Sequence, residues 1–120
     1  MKMIDTKTHG YIDYIMGIFL LAAPSLFNLN INGIESTIFY IAGVAVIFYS
    51  LLTNYELGLI KIIPMKGHLI LDILSGIFLA ASPWIFNFAN IVYAPHLILG
   101  ILEIGAALLT SSKPRIEIRI

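Results

Sequence analysis

Four stretches of the chain are almost continuously apolar, at about 10–29, 36–54, 67–88 and 91–111. An α-helix needs roughly 20 apolar residues to cross about 30 Å of hydrocarbon, so each stretch predicts a spanning helix. Asn28-Leu29-Asn30-Ile31-Asn32-Gly33 separates the first pair and Asn87-Phe88-Ala89-Asn90 the second, and both read as tight turns. The longer connection runs from Tyr55 to Lys66 and contains Glu56, Gly58, Lys61 and Pro64. It also carries Leu57, Leu59, Ile60, Ile62, Ile63 and Met65, which predicts a segment lying in the membrane interface.

The apolar pattern repeats. Residues 7–28, KTHGYIDYIMGIFLLAAPSLFN, align with residues 66–87, KGHLILDILSGIFLAASPWIFN, at an offset of 59, with eleven of 22 positions identical. The matched positions His9, Asp13, Gly17, Leu20, Pro24 and Phe27 step by four, four, three, four and three, which traces one helix face. His68, Asp72, Gly76, Leu79, Pro83 and Phe86 trace the same face. The second and fourth stretches match more weakly, with Gly43 against Gly100 and Leu51-Leu52-Thr53 against Leu108-Leu109-Thr110. The expected fold is therefore an all-α membrane protein, a single four-helix transmembrane domain over 1–120 made of two tandem parallel hairpins. Repeat 1 covers about 7–54 and repeat 2 about 66–111, and a pseudo-twofold along the membrane normal relates them. The two stripes are expected to face each other, with Gly17 and Gly76 allowing their backbones to approach.

Composition agrees with a membrane chain. Hydrophobic residues make up 59 %, charged residues 12 %, and mean hydropathy is +0.94, too little charge to cover the surface of a small water-soluble domain. Net charge is zero, which gives no basic field for nucleic acid. Cysteine is absent, so disulfide exchange, thiolate catalysis and cysteine-ligated metals are excluded, a four-helix thiol oxidoreductase included. No phosphate-cradling glycine loop or HExxH is present either. The end of the first stretch resembles a signal-peptide cleavage site, but its recurrence in mid-chain predicts a retained helix. All seven Lys and Arg (Lys2, Lys7, Lys61, Lys66, Lys113, Arg115, Arg119) fall on one side of the four-helix arrangement. The positive-inside rule then places both termini in the cytoplasm, in a multi-pass protein of the cytoplasmic (inner) membrane. Trp84, Tyr93, Phe86 and Phe88 at one boundary, with Tyr11, Tyr14 and Tyr55 at the other, read as aromatic belts. The tail 115–120 alternates apolar and charged residues with period two, as a strand or a membrane-surface segment would.

Ser82-Pro83-Trp84, within H-x3-D-x3-G-I-F-L-x-A-x-P-x-x-F-N, resembles the SPW-repeat family of small bacterial and archaeal membrane proteins. The resemblance covers both halves, although the first copy reads Ala23-Pro24-Ser25 at the motif. It implies a four-helix integral membrane architecture and no particular activity.

The polar residues inside the apolar stretches carry the chemistry. Asp13, Asp72 and Glu103 have no Lys or Arg at their depth; His9, His68 and His96 are their only basic partners there. An ionised carboxylate in hydrocarbon costs several kcal/mol, so each acid must be paired, hydrated, metal-bound or neutral. His9 with Asp13 and His68 with Asp72 stand four residues apart on one face, where each aspartate can orient its imidazole. If the stripes meet, two His and two Asp converge, a set suited to zinc, iron or manganese, or to axial haem ligation by His9 and His68. Capping of the first helical turns is the plainer alternative. Pro24 and Pro83 each free the carbonyl four residues earlier, Leu20 or Leu79, which must find a donor within the bundle. Three functions follow as expectations: a structural or assembly bundle in contact with lipid, a small proton-coupled transporter or ion conductor using Glu103 and the His/Asp pairs, or a metal or haem protein. An oligomer of this chain is expected for the transporter, because four helices enclose little space. An enzyme is the less favoured reading, and cofactor and substrate stay open.

Overall fold

The computed structural model describes residues 3–113. Lys2, Arg115, Arg119 and the alternating tail lie outside them. Four helices follow in order: α1 (Thr6–Leu26), α2 (Ile34–Leu51), α3 (Met65–Ile85) and α4 (Ala94–Leu108). Two short strands, β1 (Thr53–Asn54) and β2 (Ile63–Pro64), lie between α2 and α3 and pair in parallel.

Helix boundaries shift from the apolar stretches where local chemistry sets them. α1 starts at Thr6 because the Asp5 side chain accepts the Thr8 amide at 2.7 Å, which satisfies an otherwise orphaned donor. Lys7 and Lys66 thus fall inside the first turns of α1 and α3 rather than ahead of them. α4 is shorter than its stretch and begins at Ala94, with proline in its first turn. α1 ends in a Schellman motif: Leu29 donates to the Pro24 carbonyl at 2.8 Å and Asn28 to Ser25 at 3.3 Å. Asn28 and Asn87 take positive φ, 58° and 59°, a left-handed position that asparagine tolerates and that explains their match in the repeat. α2 and α3 are long and apolar enough to cross a membrane; α4 is apolar but shorter.

α1 packs chiefly on α2, and α3 on α4, with α2 touching α3 between the pairs. The glycines of the stripe serve these hairpins and not an α1–α3 contact, contrary to the expectation. A Cβ on Gly17 would lie 2.5 Å from Ile47 of α2, and one on Gly76 would lie 2.8 Å from the Gly100 carbonyl of α4. The stripe is wide enough to face both its hairpin partner and the other pair, and glycine is needed where backbone meets backbone.

One pattern closes both hairpins at the same end. Thr53, after α2, pairs with Ile63 ahead of α3; Thr110, after α4, pairs with Ile4 ahead of α1. The exit of each second helix is thereby tied to the entry of the other pair's first helix. Between β1 and β2, Tyr55 turns fully inward and packs with Met65, Leu69 and Ala107, so it does not belong to an aromatic belt. Phe88 is likewise buried, in the core formed by Leu20, Ile38, Phe39, Leu79 and their neighbours. Leu59, Ile60 and Ile62 of the same connection are exposed.

Polarity is inverted relative to a water-soluble domain. Ile15, Ile18, Ile41, Val44, Phe48, Leu74, Ile77, Ile98, Ile101 and Leu102 are each more than half exposed. All three histidines, Asp13, Asp72, Glu35 and Glu103 are buried. Contiguous exposed apolar surface of this kind marks contact with lipid or with a partner.

Candidate functional site

His9 and Asp13 lie one turn apart on α1, and His68 and Asp72 on α3, because helical spacing puts residues i and i+4 on one face. The structure brings all four together. His9 Nε2 is 2.6 Å from Asp72 Oδ2 and 3.0 Å from Asp13 Oδ2. His68 Nε2 is 2.6 Å from Asp13 Oδ2 and 3.2 Å from Asp72 Oδ2. In both cases the shorter contact runs between helices, so the cluster joins the two hairpins. The imidazoles meet edge to face, with centroids 5.4 Å apart.

Relative exposures are 0 % for His9, His68 and Asp72 and 2 % for Asp13, so all four are buried. Neither aspartate caps a helix; at α1 that role belongs to Asp5. One oxygen of each carboxylate stands between the two imidazoles, in contact with both.

Each ring is held from behind by a threonine. His9 Nδ1 is 2.8 Å from Thr110 Oγ1, and His68 Nδ1 is 2.7 Å from Thr53 Oγ1. Both hydroxyls spend their proton on a helix carbonyl, Thr110 on Ala106 at 2.6 Å and Thr53 on Tyr49 at 2.7 Å. They can therefore only accept from the rings, so both Nδ1 atoms carry hydrogen and both Nε2 atoms face the carboxylates. Each threonine follows the second helix of the opposite pair. The Leu-Leu-Thr match of the weaker repeat was the signal for these two residues, although it did not mark them as polar partners in advance.

The two halves part company around Tyr49, which the chain's pattern did not single out. Its hydroxyl donates to Asp72 Oδ1 and lies 3.4 Å from Glu103 Oε1. Glu103, 4 % exposed, thus reaches the cluster through a phenol. Tyr55 closes the cluster from the loop side, 5.5 Å from His68 between centroids, and burial pushes its hydroxyl pKa up, so it stays neutral.

His96 is not part of this site. Its Nε2 donates to the Glu35 carbonyl at 2.9 Å, and its ring stacks on Phe39 at 4.0 Å and lies 4.8 Å from Phe88. The repeat motif at the far end of α3 has its own logic. Pro83 cannot donate to the Leu79 carbonyl, and the Ser82 hydroxyl does so instead at 2.7 Å. Trp84 is half exposed and lies 5.8 Å from Tyr93. Pro24 is buried at the corresponding point of α1, where Ala23 stands in the serine's place.

A profile of the SPW repeat domain matches residues 7–110. Comparison with curated proteins and with solved structures gave no match. The matched profile and the two apolar helices suggest a membrane protein.

Proposed function

Because the chain belongs to the SPW repeat domain family, we propose that it is an integral membrane four-helix bundle with a structural or assembly role. Its two hairpins stand side by side in the cytoplasmic membrane, with both termini on the cytoplasmic side, as an internal duplication would leave them. The inverted polarity carries the reading: charged and polar side chains are packed inside, and the large aliphatic ones face outward. In hydrocarbon, helices gain little from burying more apolar surface, and hydrogen bonds between polar side chains then specify which helices meet. The His/Asp cluster supplies that specification, because its closest contacts cross between the pairs. Two checks test the reading. Alkaline carbonate should leave the protein in the membrane pellet, and cysteines introduced at residues 30 and 90 should be labelled only from the side opposite a cysteine at 60. Release by carbonate, or labelling of all three from one side, would sink it.

A second reading has one observation in its favour, the Tyr49 hydroxyl that links Glu103 to Asp72. A carboxylate–phenol–carboxylate chain supports proton-linked transport with Glu103 as the working group. Proteoliposomes should then show flux driven by a pH gradient, lost in Glu103→Gln; absence of flux across a broad substrate panel would count against it.

A further inference from the structure

We propose that His9, Asp13, His68 and Asp72 form one buried site for a divalent first-row transition-metal ion, held through both Nε2 and both Oδ2 atoms. The inference deepens the bundle reading and rests on the same cluster, since an ion there ties α1 to α3.

Three observations lead to it. The four ligand atoms converge within 4.8 Å of one another from buried side chains. Tetrahedral ligands at about 2.0–2.1 Å from a metal stand about 3.3 Å apart, so the four His–Asp contacts of 2.6–3.2 Å would open, the shortest by about 0.7 Å, while pairs up to 4.8 Å apart close around the ion. The threonines supply the second observation. By accepting from Nδ1–H, Thr53 and Thr110 direct the Nε2 lone pair of each neutral ring into the cluster. A histidine ligand fixed through its other nitrogen is the usual outer-shell arrangement at metal sites.

Charge is the third. Two neutral imidazoles and two ionised carboxylates together carry two negative charges. A divalent ion would cancel them and leave the net charge at zero, which a hydrocarbon setting demands. Two nitrogens and two carboxylate oxygens suit zinc, manganese or iron; copper(I) prefers sulfur, and magnesium prefers oxygen and water. Glu103 is outside the set, since its contact is with Tyr49.

The test uses the full chain, extracted in detergent, stripped with chelator and dialysed against Zn²⁺ or Mn²⁺. One ion per chain is expected, with X-ray absorption showing two nitrogen and two oxygen ligands at about 2.0–2.1 Å. Asp72→Asn should abolish uptake, while Glu103→Gln should keep it. Thr110→Val and Thr53→Val retain all four ligands and should weaken affinity about 10- to 100-fold each. Folding is followed by helical circular dichroism, and the threonine variants carry the test if Asp72→Asn fails to fold. Substoichiometric uptake by the folded protein, full uptake by folded Asp72→Asn, or unchanged affinity in both threonine variants would overturn the site. A folded, carbonate-resistant protein that takes no metal defeats this inference alone. A carbonate-released protein defeats the bundle reading whatever its metal content.

Discussion

The two hairpins present the same polar face and surround it differently. α1 and α3 each supply a histidine, an aspartate four residues on, a glycine and a proline, and α2 and α4 are each followed by a threonine that holds the opposite histidine. Beyond that set the symmetry fails. Tyr49 of α2 stands where α4 has Ala106, Glu103 of α4 stands where α2 has Val46, and Ser82 of α3 stands where α1 has Ala23. The shared residues build the contact between hairpins. The unshared ones adjust one half at a time, tying Glu103 to Asp72 in one place and satisfying a freed carbonyl in another.

The histidines test the shared part most severely. His9→Ala and His68→Ala each leave buried carboxylates short of a partner, which costs about 3–5 kcal/mol. Unfolding in detergent should show nearly equal losses for the two; a large loss for one alone would break the equivalence of the halves. Glycine contacts come next. A Cβ at Gly100 would lie 2.5 Å from the Gly76 carbonyl and 2.6 Å from the Ala80 amide, whereas one at Gly43 would lie 2.9 Å from the Gly17 carbonyl and from Cγ of Leu21. Gly100→Ala should thus cost more than Gly43→Ala, about 2–3 kcal/mol against about 1 kcal/mol, because it meets two backbone atoms at closer range. The same unfolding assay measures both.

Tyr49→Phe removes a hydrogen bond that only one half makes. It should cost about 1–2 kcal/mol, and the loss should shrink markedly in an Asp72→Asn background, which a double-mutant cycle would read. Equal losses in both backgrounds would detach Tyr49 from the cluster. The smallest effect belongs to the motif serine. Ser82→Ala should cost about 1 kcal/mol by leaving the Leu79 carbonyl without its donor. Ala23→Ser, which copies the serine into α1, should be neutral or stabilising; a loss there would show that α1 already satisfies its Leu20 carbonyl in another way.

Much of the fold was legible along the chain. Four apolar stretches gave four helices, and an offset of 59 gave two first helices of 21 residues each. His9, Asp13, His68 and Asp72 were legible as one surface because periodicity within a helix is local. Tyr49, Thr53 and Thr110 were not, because each matters only through a residue on another helix. His96 misled for the same reason. It shares a helix face with Glu103, but two turns separate them, and at its own level it meets Phe39, Phe88 and the Glu35 carbonyl.

The amino-acid sequence by itself determined the helices, the stripe that recurs on α1 and α3, and the need to satisfy acids placed among apolar residues without lysine or arginine. Hydrophobic length, helical period and the cost of burying charge are properties of one segment at a time. Only the tertiary structure decided that His9 answers to Asp72 and His68 to Asp13, that the stripe glycines serve their own hairpins, and that a phenol joins Glu103 to the cluster. Those facts depend on how far each helix is rotated and how closely it approaches its neighbours. Backbone contact at Gly43, Gly76 and Gly100 and the ties from Thr53 to Ile63 and Thr110 to Ile4 set both, and they come together only when the whole chain packs.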